Sequence, residues 1–281
     1  MRILLTGHKG QLGRTLLPLL SAHDILGIDL PEHDITDRAA LLVLARDFRP
    51  DLILHAAALT NVDGCARDPA LAYRANGMGT QNVALAAAEV AAEMLYVSTN
   101  EVFDGRAAEP YHEWAATHPI NAYGRSKLAG EWYTQHLLRR FYIVRTAWLY
   151  AAGGRNFPHR IIELADERGS LNVVTDEIGS PTYVVDMARA LVALLETHAY
   201  GIYHLVNEGS ASRYEFAQEI LRLSGRAHIP LAPITSADFQ RASTPPLYAP
   251  LANNAAAALG IRLRPWQAAL AEFLQETGYA Q

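Results

Sequence analysis

The sequence predicts an α/β fold, a doubly wound parallel sheet with a small C-terminal α/β lobe. Three observations predict it. Short apolar runs rich in β-branched residues alternate with helical patterns through the first 150 residues. The runs lack polar alternation, as expected of strands covered on both faces. After Tyr150 the alternation thins and glycine and proline become frequent, which suits a smaller lobe set on the strand ends.

The strands expected are "RILLTG" from Arg2, "DILGIDL" from Asp24, "DLILHAAA" from Asp51, "EMLYVST" from Glu93 and "YIVRTAWLY" from Tyr142. Helical stretches start at Gln11, Thr36, Asp68 and Pro119. Asp68 reads as an N-cap with Pro69 in the first turn, and the helix through Asp47 must stop before Pro50. "AAGGRN" is a glycine-rich loop, and "IIELADERG" is a short helix ending at Gly169. "LNVV" and "GIYHLVN" read as two further strands, with the helix "VVDMARALVALLE" between them. Ser212 and Glu215 have capping-box spacing ahead of "FAQEILRLSG". The proline-rich stretch from Ile229 to Pro250 should be mostly irregular, and an amphipathic helix follows Pro265. The division expected is a dinucleotide-binding unit over residues 1–150 with returning elements at 171–207. Residues 151–170 and 208–281 would form the substrate lobe.

Composition narrows the function. Of 281 residues, 50% are hydrophobic and 19% charged, which supports a sizeable core. A net charge of −5 without a basic stripe argues against a nucleic-acid partner. The opening apolar run is too short for a signal peptide or a membrane span, and the alanine-rich stretch near Ala84–Ala92 is broken by Glu89. A single Cys65 forms no internal disulfide, reads as structural, and points to a reducing compartment such as the cytoplasm. The histidines show no HxxxH or HExxH spacing, so no metal site is expected.

The first chemical signal is "TGHKGQLG", three glycines on a strand-to-helix turn. Gly7 permits the tight turn, Gly10 lets a pyrophosphate approach the backbone, and Gly13 lets the helix pack on the sheet. The helix N-terminus then favours the anion. This is the Rossmann-type arrangement, and it makes Gly7, Lys9, Gly10, Gln11, Leu12 and Gly13 candidates to hold a dinucleotide. Asp29, 22 residues after Gly7, stands where an acid bonds the adenosine ribose. A carboxylate there repels a 2′-phosphate, so NAD(P)H is expected with NADH slightly favoured, although His8 and Lys9 offset the repulsion.

The second signal is "YGRSK", which puts Tyr123 and Lys127 on one helix face. A phenol is a poor acid–base catalyst at neutral pH. A nearby ammonium, with an oxidised nicotinamide, would lower its pKa, and the same lysine can hold the nicotinamide ribose. Thr99 ends the strand "EMLYVST", where open parallel sheets bind ligands, and its hydroxyl can orient a carbonyl.

With these stretches the chain resembles the extended short-chain dehydrogenase/reductases, and within them the dTDP-4-dehydrorhamnose reductase family. The resemblance runs over nearly the whole chain, through "PDLILHAAALTNVDGCARDP", "STNEVFDG", "NAYGRSKLAGE", "RTAWLY" and "GSPT". It implies hydride transfer from NAD(P)H to a 4-keto group of a dTDP-deoxysugar, with Tyr123, Lys127 and Thr99 catalytic. It also implies that Asp34 and Ile35 lie by the adenine, that Ala56, Ala57 and Ala58 line the cofactor groove, and that Asn76 braces the sheet near the site. Glu101, Phe103, Trp148 and Asn156 would face the substrate, and a homodimer is expected.

Three stretches depart from the family pattern. Asn100–Glu101 replace the usual Asp–Tyr, Pro245 and Ala249 stand where an Arg and a Ser are usual, and Glu177 adds an acid in "DEIGSPT". Arg241 lies near the missing arginine in sequence. These changes leave other readings open: another nucleotide-sugar ketoreductase, an epimerase, or a non-catalytic NAD(P)-binding regulatory subunit.

Overall fold

The computed structural model describes residues 1–154 and 156–280. In chain order the elements are β1 (Arg2–Thr6), α1 (Gln11–Leu19), β2 (Asp24–Ile28), α2 (Arg38–Phe48), β3 (Leu52–His55), α3 (Val62–Arg67) and α4 (Pro69–Ala72). A π-helical turn, Tyr73–Met78, runs on into α5 (Gly79–Glu89). There follow β4 (Glu93–Thr99), a 3-10 turn at Asn100–Val102, α6 (Ala122–Leu137), β5 (Phe141–Thr146), β6 (Leu149–Tyr150) and α7 (Phe157–Arg168). The chain continues with β7 (Leu171–Val174), β8 (Ile178–Gly179), β9 (Thr182–Tyr183), α8 (Val184–Thr197), β10 (Gly201–His204) and β11 (Ala211–Ser212). It closes with α9 (Arg213–Leu223), β12 (Leu231–Ile234), α10 (Asn254–Ala258) and α11 (Trp266–Glu276).

Six strands form one parallel sheet in the order β10-β5-β4-β3-β1-β2. The chain leaves β1 toward β2 and returns to β3 on the other side, so the sheet's switch point lies between β1 and β3. The missing polar alternation has its cause here. Ile3 and Leu5 point into one buried cluster and Leu4 into the other, and Leu54 and Ile53 divide in the same way. Each such side chain contributes about 1.5–3 kcal/mol of transfer free energy.

The start signals act as read. Asp68 accepts from Leu71 N–H at 2.9 Å with Pro69 in the first turn. Ser212 and Glu215 close a reciprocal capping box. Asp37, rather than Thr36, caps α2.

Two expectations change. "LNVV" does not return to the main sheet; β7 pairs in parallel with β12, and only β10 joins the sheet beside β5. The Ile229–Pro250 stretch is mostly irregular as expected and contains the one strand β12, in which Pro233 is tolerated because the two-stranded ladder has no second neighbour. "YIVRTAWLY" is two strands rather than one, because Trp148 adopts φ 44° and turns the chain out of the sheet. Such a conformation is costly for a bulky residue, and it sits beside a cavity.

Candidate active site

A cavity of about 850 Å³ follows the C-terminal edge of the sheet across the switch point. One end is formed by Gly7, Gly10–Gly13, Asp29, Asp34, Ile35 and Ala56–Ala58. At Gly7 the backbone has φ 75°, and a Cβ would lie 2.7 Å from Ala57 N. At Gly13 a Cβ would lie 2.3 Å from Gly7 O. The glycines therefore let turn, helix and the β3 loop close on one another. Gly10 caps α1 without a side-chain hydrogen bond, leaving the helix N-terminus to an anion. Asp29 follows β2 at the cavity wall, where its carboxylate accepts from Lys9 N–H at 3.0 Å and Leu30 N–H at 2.9 Å. Shape and donor set fit a dinucleotide laid along the groove, its pyrophosphate on α1.

The other end holds Thr99, Glu101, Tyr123, Lys127, Trp148 and Arg213. Asn121 caps α6, its Oδ1 accepting from Gly124 N–H at 2.8 Å, and this sets the turn that carries Tyr123. Lys127, one turn on, donates to Val97 O at 2.7 Å and lies 4.3 Å above the Tyr96 ring. Burial pushes the Lys127 ammonium down to about 7, against the pull of Glu131. Its charge is therefore lost as pH rises through about 7. If the charged form holds the coenzyme ribose, kcat/KM for the coenzyme should fall as pH rises through that value, which a pH profile of initial rates checks.

The phenol departs from expectation. Burial, and then the Glu101 carboxylate, push the Tyr123 phenol well above its ordinary range, while a hydrogen bond with Thr99 pulls it down only partly. Lys127 does not depress it in this state. The result is a phenol that keeps its proton at neutral pH, the form a proton donor needs.

Four candidate residues do not reach the cavity. Lys9 turns its Nζ to Leu30 O and Glu32, so its side chain ties the β2 loop down. Asn76 is a brace: its Oδ1 accepts from Leu59 N–H at 2.8 Å, and its Nδ2 donates to Leu59 O and Ser126 Oγ. Phe103 is fully buried and stacks on Tyr111 with ring centroids 4.2 Å apart. Asn156 caps α7 and donates to Ala151 O and Gly154 O.

Two functional groups escaped the sequence reading. Arg213 opens α9, lies 3.5 Å over the Trp148 ring and pairs with Glu177 at 3.3 Å. It lines the cavity at the same end as Tyr123 and Lys127, whereas Arg241 pairs with Asp63 at 3.2 Å and Glu177 at 3.6 Å. Glu177 is thus held between two arginines. Ala249 is buried, and its backbone carbonyl accepts from Asn100. His55 is the second missed group. Buried, and held neutral with its pKa down to about 3, it bridges Thr6 and Thr80 and fixes the floor beneath the glycine turn. No motif marks either residue, because each is placed by folding rather than by spacing. Among the described residues no group of three His, Cys, Asp or Glu is placed to hold a metal ion.

A parallel sheet of this order, with a phenol and a lysine one helical turn apart beside a dinucleotide groove, defines an NAD(P)-dependent short-chain dehydrogenase/reductase. A family model described as the RmlD substrate binding domain matches residues 1–278. The chain is 36% identical over 281 residues to the spore coat polysaccharide biosynthesis protein SpsK of Bacillus subtilis, covering 99% of each. It is 39% identical to a dTDP-4-dehydrorhamnose reductase of Streptomyces griseus, over 96% of this chain and 92% of that one. A crystal structure of the dTDP-4-dehydrorhamnose reductase of Bacillus anthracis in complex with NADP aligns with a TM-score of 0.94 and 38% identity, over 98% and 99% of the two chains. The chain belongs to the dTDP-4-dehydrorhamnose reductase family.

Proposed function

We propose that the protein reduces the 4-keto group of a nucleotide-linked deoxysugar with NAD(P)H, and that the substrate is dTDP-4-dehydrorhamnose, giving dTDP-L-rhamnose. The observation that carries this reading is that Thr99, Tyr123 and Lys127 together line one end of a groove shaped for a dinucleotide. The bound coenzyme would supply the hydride. Thr99 orients the ketone oxygen, Tyr123 gives its proton to the developing alkoxide, and Lys127 holds the ribose. Trp148 and Glu101 bound the sugar, and Arg213 on its indole platform is the group for a diphosphate oxygen. Residues 1–150 with α8 and β10 serve the dinucleotide. Residues 151–170 and 208–281, joined through β7, serve the sugar.

The finer reading of the coenzyme favours NADH slightly. The Asp29 carboxylate at the ribose end of the groove supports it, since it would repel a 2′-phosphate. Asp29→Ser should shift the ratio of kcat/KM for NADPH over NADH upward by roughly tenfold, the equivalent of about 1.4 kcal/mol. An unchanged ratio removes Asp29 from coenzyme choice. The whole reading is tested by following NADH and NADPH absorbance in parallel with dTDP-4-dehydrorhamnose. Coenzyme binding without oxidation would contradict it.

A homodimer belongs to the same reading. Tyr73, Met78 and Trp132 lie exposed on neighbouring helical segments, and a second copy would cover them. Sedimentation equilibrium decides, with a monomer mass opposing the dimer. The cytoplasm is the compartment this reading implies, because a soluble coenzyme and an activated sugar must meet there. Among the described residues no helix is long and apolar enough to cross a membrane.

A further inference from the structure

Glu101 lines the cavity beside the carbonyl-directed pair, yet hydride transfer gives it no proton to handle. It is held with unusual firmness. Its N–H donates to Thr99 Oγ1 at 3.2 Å. Its carbonyl lies against Gly124, where a Cβ would come within 2.0 Å, so the residue after Tyr123 must be glycine for α6 to sit there. Asn121 donates Nδ2 to Glu101 Oε2 at 2.6 Å while its Oδ1 caps α6. One asparagine thus ties the carboxylate to the helical turn that carries Tyr123. Among the described residues, Oε1 takes no hydrogen bond. Burial raises the proton affinity of this carboxyl, with Arg213 and Arg241 opposing the rise and Glu177 adding to it.

A ketone whose oxygen is held by two hydroxyl groups has acidified C–H bonds on the adjoining carbons. A partly desolvated carboxylate facing such a carbon is the usual base for removing that proton. We infer that Glu101 is an acid–base group that exchanges a proton on a carbon next to the ketone, giving the protein an enolisation activity beside reduction. This inference rests on the ketosugar reading of the site. In the step, Oε1 takes the proton and the C–H pair becomes the C=C bond of an enolate. The C=O pair moves onto oxygen, stabilised by hydrogen bonds from Tyr123 and Thr99. Return of a proton from Glu101 reverses every bond change, with no net oxidation.

The exchange test uses dTDP-4-dehydrorhamnose with the protein in D₂O and NADP⁺, so that reduction cannot compete, and reads deuterium uptake by mass spectrometry; a parallel assay with NADH and NADPH reads reduction. The expected result is uptake at least about 100-fold faster than in buffer. Glu101→Gln should fall to the buffer rate and Glu101→Asp should retain part of the uptake, with folding checked by circular dichroism. If Glu101→Gln does not fold, the wild-type rate and the Asp variant carry the test. Reduction by the wild type without exchange would overturn this inference and leave the reductase reading standing. Exchange without reduction would support Glu101 and overturn the reductase reading. Exchange that survives Glu101→Gln would overturn the role of Glu101, and neither reaction would overturn both.

Discussion

Tyr123→Phe is expected to lower kcat by about 10²–10⁴-fold, the range typical of a positioned proton donor. The phenol lines the cavity one helical turn from Lys127, is half-buried, and is pushed above its ordinary range by desolvation and by Glu101. It therefore holds a proton at neutral pH and can pass it to an alkoxide as hydride arrives. Phenylalanine keeps the ring and its packing and removes only the hydroxyl. Coenzyme binding, carried mainly by the glycine turn and Lys127, should change little. The loss should appear equally in kcat and kcat/KM, because the donated proton matters only in the transition state. Steady-state rates and a fluorescence titration of NADH check this. A variant with near-normal turnover would remove Tyr123 from the chemistry.

Glu131→Gln is expected to cost about 3–5 kcal/mol of stability. Glu131 is fully buried and grips Arg145 with both oxygens, at 2.9 Å to Nε and 2.7 Å to a terminal nitrogen. It also accepts from Ser98 Oγ at 2.6 Å, one residue before Thr99. Glutamine preserves the volume but leaves the buried guanidinium without a counter-charge. A second effect follows from Lys127. Glu131 supports the lysine's charge, so its loss should move the fall in kcat/KM for the coenzyme below pH 7. Urea unfolding with an unchanged slope and a lower midpoint would record the first effect, and the pH profile the second. A loss under about 1 kcal/mol would mean that the pair's attraction barely offsets its desolvation.

Much of this was legible in the residues. The apolar runs gave the parallel strands because burial on both faces erases alternation, and the caps at Asp68 and Ser212 gave helix starts because their hydrogen bonds are local. Thr99, Tyr123 and Lys127 meet at the cavity because a strand end and one helical turn bring them there. What failed depended on distant partners. Nothing local in "LNVV" tells that its ladder partner is Leu231–Ile234. The left-handed turn at Trp148 is not marked by a glycine of its own; a Cβ on Gly179 would lie 2.5 Å from the indole. Phe103 and Asn156 carry family motifs, yet their side chains are spent on packing and on capping. Arg213 was hidden inside a helix-start signature, where it reads as an ordinary first-turn residue. Folding brings it over Trp148 and beside Glu177, which also explains how an added acid is tolerated there.

The most direct test of the account follows the hydride itself. Coenzyme labelled with deuterium at the transferable position of the nicotinamide is incubated with the protein and dTDP-4-dehydrorhamnose, and the sugar product is examined by mass spectrometry and proton NMR. The account predicts one deuterium, on the former carbonyl carbon, with one coenzyme consumed per sugar. A protein that binds the labelled coenzyme but leaves the ketone unreduced would contradict it.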